Sequence, residues 1–159
     1  MGMLKTSSHV EAVCDAPIDA VWALVTDVTR TGEWSHETQR AVWVDGATGA
    51  VPGARFRGAN KNGVARWSRT CEVLDAAPYT FRFRTIPTFA YPDSTEWTFT
   101  LTADGTKTRI EQSFEVVKIN PMMSRIYFAL IPSHRDRTEA LQRDIERLGA
   151  AVEKTAKLS

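Results

Sequence analysis

The alternation of apolar and polar residues predicts an antiparallel β-sheet through the middle of the chain. A segment at 8–14 and later segments repeat apolar side chains at every second position, which places them on one face of a strand. The later segments are 39–45, 53–60, 65–73, 79–86, 96–102 and 106–118. Each strand has one apolar and one polar face, so the sheet is expected to be covered on one side and solvated on the other.

Helical spacing at both ends of the chain predicts what covers the apolar face. After Asp15 and Pro17, suited to a helix start, apolar residues recur at helical spacing to about position 28, and a further helical turn is predicted at 33–35. Near the C-terminus one narrow stripe predicts a long helix, with Leu141, Ile145, Leu148 and Val152. Pro132 precedes this stripe and predicts a kink or break at 131–133.

The strand predicted at 53–60 contains a glycine at an unusual place. Phe56 and Gly58 lie on its apolar face, and the turn that follows is predicted at 61–63 because Asn-Gly favours tight turns. A glycine inside a strand weakens the sheet unless something approaches it closely. The approaching group is either a packed helix or a bound small molecule.

The order of the strands predicts where a cavity would open. In an up-and-down meander, successive turns alternate between the two ends of the sheet. The turns at 60–63 and 87–94, the exit at 118–121 and the segment 35–37 therefore share one end. That end is predicted to be the mouth, and it collects His36, Asn60, Phe89, Tyr91, Asn120 and Met122.

Composition narrows the functional classes. The chain has 159 residues, which fits one domain over 1–159 with a core at about 8–154. With 20 basic and 19 acidic residues its net charge is +1, which gives no case for nucleic-acid binding. The N-terminus lacks the apolar stretch of a signal peptide and no run is long enough to span a membrane, so a cytoplasmic protein is expected.

The sequence predicts neither a cofactor nor a metal. Cys14 and Cys71 are expected to be buried free cysteines, and His9, His36 and His134 lack metal-ligand spacing. The chain also lacks a Gly-x-Ser-x-Gly elbow, a phosphate-binding loop and a dinucleotide-binding fingerprint.

The apolar face carries aromatic residues that fit either a plain core or the walls of a cavity. They are Phe56, Phe81, Phe83, Trp97, Phe99 and Phe114. Asn60 and Gln112 are polar residues on this face by parity, and a buried amide must find partners. His36 is the best general acid/base candidate, against the alternative of a histidine in a surface loop.

The parity of the 65–73 strand stays ambiguous. Trp67 and Arg69 face inward together, or Ser68 and Thr70 do. An inward Arg69 would need a carboxylate, with Glu72 and Glu96 nearby, but a solvated outer-face position is favoured. The remaining sheet arginines, interleaved with Glu and Thr, are expected on the solvated face.

Two segments resemble a known superfamily. Ala16-Pro-Ile-Asp-Ala-Val-Trp-Ala-Leu-Val-Thr-Asp27, followed by Glu33-Trp34, resembles the opening of the polyketide cyclase/dehydrase and lipid-transport (SRPBCC) superfamily. Pro52-Gly-Ala-Arg-Phe-Arg-Gly-Ala-Asn60, with Trp67 beyond, looks like a recurring segment of bacterial members. The resemblance implies an α+β helix-grip fold (START-like, Bet v 1-like). Its curved antiparallel sheet has about seven strands wrapped on a long C-terminal helix, with two short helices after the first strand.

The resemblance implies binding or carrying of a small hydrophobic ligand, which is lipid-like, aromatic or polyketide-like, between sheet and C-terminal helix. The predicted ligand-binding residues are Trp34, His36, Phe56, Gly58, Asn60, Trp67, Arg69, Phe83, Trp97, Phe99, Gln112, Phe114, Met122, Met123 and Ile126. No catalytic set transfers from the aromatase/cyclases. Two alternatives stay open: a polyketide cyclase, aromatase or dehydratase using acid–base catalysis, and a regulatory or stress-associated interaction protein. A monomer or homodimer is expected.

Overall fold

Seven strands and two α-helices make up the described part of the chain. The computed structural model describes residues 6–120, 122, 125, 131, 134 and 136–158. The strands are β1 (Ser7–Cys14), β2 (Thr38–Val44), β3 (Arg55–Asn62), β4 (Ala65–Asp75), β5 (Thr80–Thr85), β6 (Ser94–Asp104) and β7 (Lys107–Lys118). The helices are α1 (Ile18–Thr26), a 3₁₀ helix (Val28–Glu33) and α2 (Thr138–Leu158).

The strands form one antiparallel sheet in the order β1-β7-β6-β5-β4-β3-β2. Strands β2 to β7 follow one another as a meander, and β1 closes the order by pairing with β7. This arrangement confirms the predicted meander and the helix-grip fold. In the register of β3 and β4, Gly58 lies opposite Arg69 and Asn60 opposite Trp67.

Helix α2 packs along β1 through its predicted stripe. Leu141, Ile145, Leu148 and Val152 are all buried in the core. Close approach is possible because position 149 is glycine: a Cβ there would lie 2.9 Å from the Cβ of Cys14. The Cβ of Cys14 is fixed to the backbone of β1, so it cannot move aside as the tip of a long side chain could.

Gly149→Ala is therefore expected to lower the free energy of unfolding by about 1 kcal/mol, because overpacking outweighs propensity. Helix propensity alone predicts the opposite sign, a gain of about 1 kcal/mol. Urea unfolding measures the change. The neighbouring exposed Ala150→Gly is the matched control for the propensity contribution in this helix. Stabilisation by Gly149→Ala would show that α2 can move away from β1 without cost.

The 3₁₀ helix packs onto β2 through a second close approach. A Cβ at Gly32 would lie 2.3 Å from the carbonyl oxygen of Gln39, so only glycine fits there. The Asp27 side chain accepts a hydrogen bond from the backbone N–H of Thr29 and fixes the start of this helix. This packing places Trp34, which directly follows the helix, inside the core.

Three local predictions were wrong in detail. Asp15 does not cap α1: the helix begins after Pro17 without a side-chain cap, and the backbone N–H of Asp15 donates to Glu153 instead. The helical turn predicted at 33–35 lies earlier, at Val28–Glu33. Strand β3 continues to Asn62, so the tight turn lies at 63–64 rather than at 61–63. The predicted kink at 131–133 falls mainly outside the described residues.

Candidate functional site

A cavity of about 330 Å³ lies between the concave face of the sheet, the 3₁₀ helix and α2. Its walls include all the inward-facing aromatic rings predicted from the sequence. Phe56 and Phe83 pack edge to face with centroids 5.1 Å apart, and Trp97 lies 5.2 Å from Phe114. The alternatives of core and cavity wall are both realised, because Phe81 and Phe99 belong to the buried core and also line the cavity.

Most of the residues predicted to bind ligand line this cavity. They are Trp34, His36, Phe56, Gly58, Asn60, Trp67, Arg69, Phe83, Trp97, Phe99, Gln112 and Phe114. Met122 is not among the lining residues: its side chain is exposed beyond a turn in which its N–H donates to Asn120. Met123 and Ile126 lie outside the described residues. The role of the lining residues in binding stays a prediction.

Only some of the residues predicted at the mouth line the cavity. His36, Asn60, Tyr91 and Asn120 come together in the cavity lining at one end of the sheet, as the alternation of turns predicted. Phe89 does not take part, because it sits at the tip of its loop and is fully exposed. Other residues of the same loop, 90–93, line the cavity in its place.

Arg69 faces inward, which resolves the parity of β4. Its side chain is 11% exposed, and its guanidinium donates to both carboxylate oxygens of Asp93 at 3.2 and 3.1 Å. The guanidinium also lies 5.3 Å over the ring of Tyr91. The favoured outer-face position was therefore wrong, as were the proposed partners.

The carboxylates proposed for Arg69 are used on the opposite face of the sheet. Glu72 pairs with Arg55 and Arg84, and Glu96 pairs with Arg82. These side chains have the opposite parity to Arg69 and are directed to solvent. The pairs confirm a solvated, charge-balanced outer face, and such exposed pairs contribute little to stability.

A group of ionisable side chains, here called the histidine cluster, borders the cavity: His36, Glu37, His134, Arg137 and Asp144. The Nε2 atom of His134 is hydrogen-bonded to the carboxylate of Glu37, and Arg137 donates to Nδ1 of His134 at 3.1 Å. Because arginine can only donate, Nδ1 must accept and the ring proton of a neutral His134 sits on Nε2.

His36 is held on the other side of the cluster by Asp144. The carboxylate of Asp144 accepts from the backbone N–H of His36 at 2.9 Å and contacts its Nδ1 at 2.6 Å. Arg147 donates to the same carboxylate at 2.5 Å. The other ring nitrogen of His36, Nε2, lies 3.6 Å from a carboxylate oxygen of Glu37. His36 lines the cavity, and its place at the mouth stays a prediction.

The buried pair of Glu37 and His134 has shifted pKa values. Burial acts to raise the pKa of Glu37, but the hydrogen bond from His134 and the charge of Arg137 outweigh it, and the pKa is lowered. Burial lowers the pKa of His134, the Glu37 bond opposes this, and the charge of Arg137 adds to the lowering. Both directions favour a carboxylate beside a neutral imidazole at neutral pH.

Acidification from about pH 7.5 to about pH 5.5 is expected to destabilise the protein. The reason is that His134 binds a proton more tightly in the unfolded chain than in the folded protein. The contribution of neutral His134 to the free energy of unfolding is complete above the ordinary histidine pKa of 6.5. It is lost as the pH falls through the lowered pKa of His134 in the folded protein. Glu37 acts in the same direction below its ordinary pKa of 4.5. One proton limits the slope to about 1.4 kcal/mol per pH unit.

Urea unfolding across this pH range measures the slope, and His134→Gln is the comparison variant. We expect a flatter slope in His134→Gln, since His9 and His36 remain in both proteins. Equal slopes would show that His134 has the same proton affinity in the folded and unfolded chain.

Sequence reasoning missed Glu37, His134, Arg137 and Asp144. Asp144 had a detectable signal, because it lies beside Ile145 and three residues after Leu141, on the apolar stripe of α2. A carboxylate on such a stripe is expected to have buried partners. His134 and Arg137 are close in sequence, but their pairing with Glu37 is a tertiary contact across 97 positions and leaves no local signal.

Three buried side-chain atoms of the cavity lining have no hydrogen-bond partner among the described residues. They are Nε1 of Trp34, Nε of Arg69 and Oε1 of Gln112. Buried polar groups in native proteins are nearly always paired, and an unpaired one costs about 1–3 kcal/mol.

Cys71 also lines the cavity but offers no nucleophile at neutral pH. Burial raises the pKa of its thiol to about 12, although Arg69 acts in the opposite direction. Since the thiolate is the reactive form, this cysteine is chemically inert in the folded protein.

The residues best arranged for a metal ion lie away from the cavity. His9 and Glu11 of β1 and Glu111 of β7 each place one ligand atom within 4.8 Å of the others. Sequence spacing gave no sign of this group, because Glu111 joins it only through strand pairing. His9 and Glu11 are exposed, and we found no second feature that points to an ion.

The fold and its interior cavity define a helix-grip protein with a ligand-sized site. The family described as "Polyketide cyclase / dehydrase and lipid transport" matches residues 5–153. The chain therefore belongs to this family. No curated protein sequence matches the chain. Among the described residues, no helix combines the length and the apolar character that crossing a membrane requires.

Solved structures share the fold. A Thermus thermophilus protein has a TM-score of 0.68 at 18% identity, over 94% of this chain and 98% of its own. A Corynebacterium glutamicum protein described as Polyketide_cyc-like has a TM-score of 0.58 at 26% identity, over 96% of this chain and 92% of its own. The di-domain ARO/CYC BexL from the BE-7585A biosynthetic pathway has a TM-score of 0.60 at 19% identity, over 89% of this chain and 47% of its own.

Proposed function

We propose that this protein binds a small, largely apolar ligand with polar substituents in the cavity between its sheet and α2. The observation that carries the proposal is the coexistence of aromatic walls with unpaired buried polar atoms. A volume of about 330 Å³ falls at the lower end of the range for small-molecule sites, roughly 300–1,000 Å³.

The apolar walls and the polar atoms contribute to binding in different ways. Burial of apolar ligand surface against the rings supplies affinity at about 25 cal/mol per Å². The unpaired atoms supply orientation, since a ligand that leaves them unpaired forgoes that stabilisation. At the mouth, Asn60 is positioned by a 2.8 Å hydrogen bond from the hydroxyl of Thr38, next to Arg69 on the neighbouring strand. A lipid-like, aromatic or polyketide-like molecule with oxygen substituents fits this description.

Native mass spectrometry and calorimetry with a panel of polyphenols, fatty acids and sterols test the proposal. We expect at least one class to bind with one-to-one stoichiometry and a negative heat-capacity change, the mark of apolar burial. Absence of binding by every class, at ligand concentrations up to their solubility, would contradict it.

A second candidate function is acid–base catalysis on a β-keto chain, as a cyclase, aromatase or dehydratase. The specific observation in its favour is the 2.6 Å contact between Asp144 and Nδ1 of His36. A carboxylate in this position orients an imidazole, which leaves Nε2 to exchange a proton with a bound substrate. The similarity of fold to the ARO/CYC protein BexL is consistent with this function.

Turnover of a model polyketide separates the two functions. For an enzyme, His36→Gln is expected to lower kcat by about 10²–10⁴-fold while ligand affinity stays within a few fold. If His36→Gln, Asn60→Ala and Arg69→Ala all leave turnover unchanged, acid–base catalysis at this site is wrong and binding remains.

A further inference from the structure

One corner of the outer, solvated face of the sheet carries four cations grouped around a small residue, Ala59. Arg57 and Lys61 lie on either side of Ala59 along β3, with parity opposite to the buried positions of that strand. Arg40 of β2 lies directly opposite Ala59, and Arg66 of β4 lies directly opposite Lys61. All four are exposed, and neighbours of this kind in a sheet start about 5–8 Å apart. This group is called the basic corner and consists of Arg40, Arg57, Lys61 and Arg66.

The basic corner departs from the charge balance of the rest of this face. Nearby on the same face, Arg55, Arg82 and Arg84 each pair with a glutamate. Within the described residues, no carboxylate lies close enough to a side chain of the basic corner to form an ion pair. Lys61 and Arg66 even face each other directly, and like charges in that position destabilise a sheet. The fold gains nothing from this arrangement, whereas an anion from outside would relieve the repulsion.

The floor of the basic corner suits the approach of carboxylates. Ala59 at its centre is flanked on β4 by Ser68, so small side chains leave room between the longer cationic ones. Three of the four cations are arginines, whose planar fork of donors matches a carboxylate. Val42, opposite Arg57 and 49% exposed, adds an apolar contact at the border.

The acids elsewhere on the face limit the size of an anionic partner. Glu72 of β4, Glu96 of β6 and Glu111 of β7 all lie on the same outer face. A membrane or a nucleic-acid duplex that covers the sheet would bring its own negative charges against these carboxylates. The net charge of +1 supplies no general attraction to such a polyanion. A short acidic segment covers the basic corner alone and avoids the repulsion.

We propose that the basic corner is a docking surface for an acidic segment of a partner protein, rich in aspartate or glutamate. The surface is separate from the cavity, because the alternate residues of β3, Gly58 and Asn60, are the ones that line it. The proposal therefore goes beyond ligand binding and does not depend on it. Exposed complementary charge of this kind speeds association and selects the partner.

Titration of the ¹⁵N-labelled protein with a short peptide of alternating glutamate and serine tests the surface. A peptide of alternating glutamine and serine is the neutral control. We expect the acidic peptide alone to bind and to shift the backbone amide resonances of β3 and β4 around Ala59. Raising the salt concentration is expected to weaken the binding, because salt screens exposed charges.

Two double variants separate the basic corner from net charge. Arg57→Gln/Arg66→Gln is expected to weaken binding of the acidic peptide by about tenfold or more, since two exposed charge pairs are lost. Arg82→Gln/Arg84→Gln is the matched control, because it removes the same charge from paired arginines of the same face. We expect it to stay within about threefold of the wild type.

Several results would overturn the docking surface. They are absence of binding by the acidic peptide, shifts centred away from β3 and β4, and equal losses in the two double variants. Tighter binding of a DNA duplex or of phosphatidylglycerol vesicles, lost in Arg57→Gln/Arg66→Gln, would assign the surface to another polyanion and overturn the protein partner. A check without any partner is thermal unfolding of Lys61→Gln. Its midpoint is expected to rise as the repulsion from Arg66 ends, and a fall would show that these cations serve the fold.

Discussion

Asp144→Ala is expected to lower the free energy of unfolding by about 3 kcal/mol, the range found when one partner of a buried ion pair is removed. The side chain is 3% exposed and accepts from the backbone of His36 and from Arg147, besides contacting the imidazole of His36. Removal leaves the partly buried N–H of His36 without this partner and frees the segment that connects the 3₁₀ helix to β2. Chemical denaturation followed by circular dichroism measures the loss.

Glu139→Ala is the matched control, because it also removes a carboxylate paired with an arginine on α2. Glu139 is 84% exposed, and an exposed pair of this kind contributes only about 0.5 kcal/mol or less. A loss below about 1 kcal/mol for Asp144→Ala, or equal losses for the two variants, would show that the contacts of Asp144 do not hold the histidine cluster in place.

Gly58→Val is expected to weaken ligand binding by about tenfold or more while the domain still folds, because added methyl groups enter space that the ligand needs. Gly58 is buried in β3 and lines the cavity. A Cβ at this position would meet Thr38 at 3.6 Å and Asn60 at 3.8 Å, which are ordinary contacts. Valine also favours strands, so stability should not fall.

Gly58→Ala is the control for this substitution. Its single methyl fits the available space, so we expect ligand affinity within about threefold of the wild type. Wild-type affinity in Gly58→Val would mean that the ligand does not occupy the space beneath β3. Loss of folding in Gly58→Ala would mean that the glycine serves strand packing instead.

The sheet could be predicted because its determinants are local. Apolar residues at alternate positions mark each strand, and turn residues mark the connections, so the meander and its mouth followed from strand order alone. The stripe from Leu141 to Val152 identified α2 in the same way. Gly58 of β3 was predicted to be a point of close approach. It lies in the cavity wall, but no atom of the described residues approaches it closely enough to exclude a side chain, so approach by a ligand stays a prediction.

The polar part of the site could not be predicted, because its partners are distant in sequence. An outer-face position was favoured for Arg69, and Glu72 and Glu96 were the partners considered for an inward one. Its actual partner, Asp93, comes instead from the loop between β5 and β6. The Glu37–His134 pair joins residues 97 positions apart. Strand parity says which face a residue occupies but not which loop will cover that face.

The indole N–H resonances of the five tryptophans test most directly whether a ligand binds within the cavity. Trp34, Trp67 and Trp97 line the cavity, whereas Trp22 packs against Tyr79 outside it. In a titration of ¹⁵N-labelled protein with 2-naphthol, we expect the Trp34 Nε1–H resonance to shift most as it gains a hydrogen-bond partner. The resonance of Trp22 should stay unchanged. A Trp34 resonance that does not move at saturation, or a Trp22 resonance that moves as far, would contradict a ligand site within the cavity.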